Sequence, residues 1–151
     1  MTLNTKMILE TSGRFLPIQY PEEEGFWARS REHILVVPEC KNCGYIFWPI
    51  GPVCKRCLSL DLGWRQVSGR GHISSYVVFH KGWTEYLKAR VPYVVVQVEL
   101  DEGPRLTTNL VECAIEDAAV GMEVEATWEK VTEDVTLLQF RPGRTTEGRQ
   151  V

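Results

Sequence analysis

Long apolar runs are missing from this chain of 151 residues. None approaches the roughly 20 residues that a bilayer span requires, so no membrane-crossing helix is expected. Residues 1–10 lack both the apolar core and the small-residue cleavage site of a secretory leader, which points to the cytoplasm and to reduced thiols. Histidine is scarce, with three in the whole chain. None of His33, His72 and His80 stands beside a serine or cysteine in a recognisable nucleophile–base motif. Phosphate-cradling loops are absent too: the chain has no GxGxxG or P-loop, and SGRG at residues 68–71 is too short for one. A basic stripe is also lacking. Net charge is −3, and residues 101–134 hold 10 acidic and 2 basic side chains, a face that repels phosphates. These absences argue against a membrane protein, a nucleotide-dependent enzyme and a nucleic-acid binder.

Cysteine is where the chain concentrates its chemistry. Four of its five cysteines, Cys40, Cys43, Cys54 and Cys57, form two CxxC pairs separated by ten residues. Two such knuckles bring four thiolates to one ion, the tetrahedral sulfur shell of structural zinc. Two disulfides are the competing reading; the missing leader and the ribbon-like spacing favour the metal. Iron would suit the same four sulfurs. With every position filled by sulfur no place remains for substrate, so the metal serves the fold. Gly44 follows the first pair, where a knuckle needs a permissive backbone, and Pro49, Gly51 and Pro52 break any helix between the pairs. Cys113 lies in an apolar run beside Glu112, Glu116 and Asp117. Those carboxylates oppose a thiolate, and a buried structural thiol is expected.

The periodicity describes a mainly β chain. Residues 1–34 read as an extended arm and a short helix opened by Pro21 and three acids. Residues 35–63 read as a rubredoxin-like zinc ribbon with Tyr45, Phe47 and Trp48 partly in its core. Residues 64–142 read as a five-stranded OB-fold barrel, and residues 143–151 as a loose tail. In the first barrel strand, Ile73, Val77 and Phe79 are expected on one face and Ser74, Tyr76 and Val78 on the other. Residues 93–100, 105–111, 124–129 and 135–140 supply the other strands, with one helical turn over residues 116–121. The loop at residues 80–92 is long for a hairpin, and barrels of this type often bind ligands there. It sets Lys81, Lys88 and Arg90 beside Trp83 and Tyr86, cations and rings suited to the phosphates and adenine of coenzyme A.

Beyond these patterns, an ordered set of residues resembles a known family. It comprises Phe26-Trp27, Cys40-Lys-Asn-Cys-Gly44, Pro49, Cys54-Lys-Arg-Cys57, Ser59, Trp64 and the run from Val67 to Gly71. It continues through Pro92-Tyr-Val94, Val98 to Gly103, Arg105-Leu106, Asn109-Leu110, Gly121 to Val124 and Phe140-Arg-Pro142. The family is that of the zinc-ribbon/OB-fold proteins associated with acyl-CoA enzymes, long known as a domain of unknown function. The resemblance implies an accessory subunit assembled with a thiolase-fold catalytic subunit, in a hetero-oligomer such as α2β2. The partner would carry the catalytic cysteine and histidines, so no catalytic residue is expected here, with CoA or acyl-CoA at the partner interface. The short helix cannot bury Phe26, Trp27 and Ile34 on a face of its own. It is expected to pack on another surface, either the chain's own ribbon or, as the resemblance favours, the thiolase-fold subunit. A nucleic-acid-binding OB protein and a stand-alone enzyme are the alternatives; the charge pattern opposes the first and the missing nucleophile–base pair the second.

Overall fold

The computed structural model describes residues 14–143; the first part of the expected arm and nearly all of the expected tail lie outside them. Pro21–Glu23 form a 3-10 turn that runs into helix α1, Glu24–Arg31. The acids Glu22, Glu23 and Glu24 sit at the positive end of the helix dipole. Glu23 does more: its carboxylate accepts from the Trp27 indole N–H at 3.1 Å and from the Tyr20 amide at 3.4 Å. Both large aromatics of the helix are buried within the chain itself. Phe26 meets Trp27 edge-on at 5.2 Å and Trp48 at 5.4 Å. Gly25 lies so close to the Trp64 indole that a Cβ would collide with it. Phe26 and Trp27 therefore hold helix, ribbon and barrel together, and of the two surfaces expected for these aromatics the chain's own is the one they pack on.

The ribbon is a two-stranded antiparallel sheet, β1 (Val36–Cys40) and β2 (Leu62–Gln66), in register from Val36 opposite Gln66 to Cys40 opposite Leu62. Between the cysteine pairs the chain is irregular, with one antiparallel bridge from Ile46 to Glu39 and no helix, as its prolines and glycine require. Phe47 is fully buried, while Tyr45 and Trp48 are half-buried.

The other five strands close a barrel. They are β3 (Arg70–Phe79), β4 (Tyr93–Leu100), β5 (Arg105–Leu110), β6 (Glu123–Lys130) and β7 (Thr136–Pro142). The order is β3-β4-β5-β7-β6, with β5 and β7 parallel and the remaining pairs antiparallel. This is the OB-fold expected from the sequence. Its interior is Ile73, Val94, Val96, Val98, Leu100, Leu106, Val124 and Phe140. The face reading of β3 is corrected. A bulge between Ile73 and Ser75 inserts one residue and reverses the alternation. Beyond it Val78 packs toward the core, whereas Val77 is 53% exposed and Phe79 lies outside, stacked on Tyr93 at 5.2 Å. Two local elements also differ from expectation. The loop at residues 80–92 contains a one-turn helix α2, Glu85–Lys88, capped by the Thr84 hydroxyl, which accepts from the Leu87 amide at 3.2 Å. The turn expected over residues 116–121 is a 3-10 turn at Ile115–Asp117.

Gly71 pairs with Leu100 on one side and Val124 on the other. A Cβ there would run into the backbone of Glu99 and Leu100, which a flexible side chain cannot relieve. Gly71→Ala is expected to destabilise the barrel by about 1–3 kcal/mol. Urea unfolding of the two proteins checks this; equal midpoints would refute the close approach.

Candidate metal centre and ligand cleft

The metal site is one turn built twice. In the first knuckle the Cys40 amide donates to the Tyr45 carbonyl at 2.9 Å and the Gly44 amide to the Cys40 carbonyl at 2.8 Å. In the second, the Cys54 amide donates to the Ser59 carbonyl at 2.9 Å and the Leu58 amide to the Cys54 carbonyl at 3.0 Å. Gly44 has φ 70° and Leu58, at the matching position, φ 62°. The four Sγ atoms lie within 4.8 Å of one another. Cys40 and Cys57 are 3.6 Å apart, and Cys43 and Cys54 are 3.7 Å apart. Four sulfurs about 2.3 Å from one zinc stand roughly 3.8 Å from each other in a tetrahedron, so the donor set fits zinc. Cys40 and Cys54 are buried, while Cys57 is exposed.

Electrostatics follow from crowding four thiols in one shell. Cys57 is lowered to about 6, first because Asn42 Nδ2 donates to its Sγ at 3.6 Å, and then by the Ser59 amide. Burial opposes the Cys54 thiolate, but the Cys57 and Arg56 amides outweigh it and hold that thiol below its ordinary value. At Cys43 the Tyr45 amide favours ionisation, yet burial and the other three sulfurs push it up to about 12. Four adjacent thiolates need a cation among them. Metal must displace protons to bind, so its affinity falls as the solution is acidified.

A second feature lies on the outer face of the barrel. A cleft of 570 Å³ is bounded by Arg14, Phe15, the α2 loop, Tyr93, Val95 and the Glu129–Gln139 pair. Arg14 makes two hydrogen bonds to Glu129, at 2.7 and 3.1 Å, and its guanidinium stands 4.9 Å from the Tyr86 ring. Arg90 covers the same ring at 3.7 Å, and Glu129 also accepts from Gln139 at 2.9 Å. Of the three cations that the sequence put forward as CoA contacts, Arg90 lines this cleft. Lys81 instead stands 4.3 Å from the ring of Trp83, and Lys88 is paired with Glu85 at 2.6 Å. The sequence reading missed Arg14 and Glu129, which are 115 residues apart and have no local signal linking them.

Nothing among the described residues forms a nucleophile–base pair around the remaining candidates. His33 stacks on Trp128 at 6.1 Å, and His72 and His80 are exposed. Cys113 is half-buried where a buried thiol was expected. Its Sγ donates to the Ala114 carbonyl at 3.3 Å, and burial together with Asp117 pushes the thiol up.

Comparison with known proteins agrees with this architecture. Residues 27–63 match the family model for the ChsH2 rubredoxin-like zinc ribbon domain, and residues 64–129 that for the ChsH2 C-terminal OB-fold domain. A DUF35 domain-containing scaffold protein of Methanocaldococcus jannaschii is 34% identical over 123 residues, which covers 78% of this chain and 86% of that one. The chain belongs to the DUF35 family. This is the family whose residue pattern the sequence resembles. The DUF35 chain is also 36% identical over 121 residues to a probable enoyl-CoA hydratase alpha subunit of Thermomonospora curvata. That match covers 80% of the DUF35 chain but 37% of the longer relative. Among solved structures, a chain of an "Ltp2-ChsH2(DUF35) aldolase" superposes with a TM-score of 0.77 at 34% identity, covering 84% of this chain and 98% of that one. No helix among the described residues is long and apolar enough to cross a membrane.

Proposed function

We propose that this DUF35 chain is a non-catalytic accessory subunit of a thiolase-type acyl-CoA enzyme complex. It docks on a thiolase-fold catalytic subunit, stabilises it and shapes its acyl-CoA entrance. The observation that carries this role is the near end-to-end superposition on a chain of the Ltp2-ChsH2(DUF35) aldolase. Relatives named as scaffold protein and hydratase alpha subunit support it, as does the lack of a nucleophile–base pair among the described residues. In this role Cys40, Cys43, Cys54 and Cys57 hold a structural zinc that fixes the ribbon. Arg90, with Tyr86, is the side chain best placed to meet a CoA phosphate or adenine at the partner interface; Lys81 and Lys88 stand outside the cleft and contribute charge alone. The assembly is a cytoplasmic hetero-oligomer such as α2β2.

Co-expression with a thiolase-fold subunit tests the role. The two chains are expected to elute together on size exclusion, and the DUF35 chain alone to leave acyl-CoA esters unchanged. Cys113→Ala is expected to preserve both assembly and turnover, because a half-buried thiol beside Asp117 is a poor nucleophile. Loss of turnover in an intact Cys113→Ala complex would place chemistry on this chain and overturn the accessory role.

A further inference from the structure

The second zinc knuckle carries a conflict that packing inside the chain does not explain. Its backbone repeats the first knuckle bond for bond, and both turns need a residue at positive φ. The first uses Gly44; the second uses Leu58, for which that conformation is unfavourable. The leucine gains nothing internally in return, since it is 74% exposed, and Leu60, two residues on, is 75% exposed. Strained backbone at an exposed apolar side chain points from the observed outlier to a use for that side chain.

The charges beside it point the same way. Lys55 and Arg56 are exposed at the same knuckle. Arg56 stands 4.3 Å from the Tyr45 ring and Lys55 5.6 Å from that of Phe47, and neither has a carboxylate partner among the described residues. In a chain of net charge −3, two cations left on aromatic rings stand within a few residues of two bare leucines, giving the knuckle an apolar tip with a positive flank.

We infer that this tip, Leu58 and Leu60 flanked by Lys55 and Arg56, is a docking surface that inserts into an apolar pocket rimmed by carboxylates on the catalytic subunit. The inference rests on the accessory role proposed above and names the face that fulfils it. The acidic cleft that a second copy offers, at Asp101, Glu123 and Glu125, is lined mostly by polar and charged residues, and its two most apolar clefts have no carboxylate to spare among the described residues. The cleft between Trp27, Trp48 and Leu137 has one carboxylate, Glu23, already taken by Trp27 and Tyr20. In the 570 Å³ cleft the carboxylate is Glu129, taken by Arg14 and Gln139. Docking at the tip also covers Cys57, the exposed metal ligand, so it shields the zinc site from solution.

Leu58→Gly separates folding from docking, because glycine suits the turn and removes the contact. The variant is expected to keep its zinc and its thermal midpoint, or to raise the midpoint. Its affinity for the thiolase-fold subunit is expected to fall by about tenfold or more, the loss of one buried leucine. Leu60→Ser, free of the backbone question, is expected to show a similar loss, and Arg56→Glu to slow association most at low salt. Zinc release from the wild-type chain to a chromogenic chelator is expected to slow when the subunit is added, and to be less affected by it in Leu58→Gly. Wild-type affinity in both leucine variants, with zinc retained, would overturn the docking surface while leaving the accessory role standing. Failure of the wild-type chain to bind the subunit at all would overturn both. A homodimer of the isolated chain that Leu58→Gly dissociates in sedimentation would assign the tip to a second copy and overturn the proposal.

Discussion

Removing the zinc is expected to unfold the ribbon while the barrel keeps its strands. β1 and β2 form a sheet of two strands, and a two-stranded sheet is marginal by itself in water. The turns between Cys40 and Cys57 have little regular backbone pairing and Phe47 as their main buried hydrophobic side chain, so four sulfur–metal bonds supplement a very small core. Structural zinc in small sites contributes an apparent 10–16 kcal/mol or so near neutral pH, comparable to or above the whole stability of a typical domain. Cys40→Ser, at a fully buried ligand, is expected to act like chelation. The barrel has its own closed hydrogen bonding and its own interior, so it is expected to persist with a lower midpoint. Metal analysis should give one zinc per chain. Amide exchange before and after chelation should show protection lost over residues 35–62 and largely retained over β3 to β7. Protein purified without chelator that contained neither zinc nor iron would refute the metal site.

Trp27→Ala is expected to cost the chain about 3–5 kcal/mol of its own stability, the usual range for deleting a buried tryptophan or phenylalanine. Trp27 is 8% exposed, touches Phe26 and anchors Glu23 through its indole N–H. The deletion therefore opens a cavity where helix, ribbon and barrel meet, and it leaves the Glu23 carboxylate with one donor fewer. Denaturant unfolding measures the loss. A Trp27→Ala protein of wild-type stability would mean that the helix does not pack on the barrel as described.

These two effects show where the sequence was legible. The two CxxC pairs announced the metal site because a zinc knuckle is local: spacing and the glycine at 44 carry most of the information. The barrel strands were readable where apolar and polar residues alternate in sequence, as along β6 and the end of β4. β3 was misread because one inserted residue at Ser74 reverses every face after it, and no composition signal marks that bulge. Helix α1 was readable as a helix but its burial was not, since its contacts with Trp48, Trp64 and β7 join segments distant in the chain. The 570 Å³ cleft was half visible: the loop that supplies Tyr86 and Arg90 stood out by length and charge, whereas Arg14 and Glu129 come together only in three dimensions.

The role as an accessory subunit is tested most directly by adding the DUF35 chain back to the thiolase-fold subunit proposed as its partner and following acyl-CoA turnover. The partner alone is expected to be weakly active or unstable, the DUF35 chain alone inactive, and the mixture active, with turnover saturating as the complex fills. A partner that is fully active and stable alone, and unchanged by saturating DUF35 chain, would contradict the account.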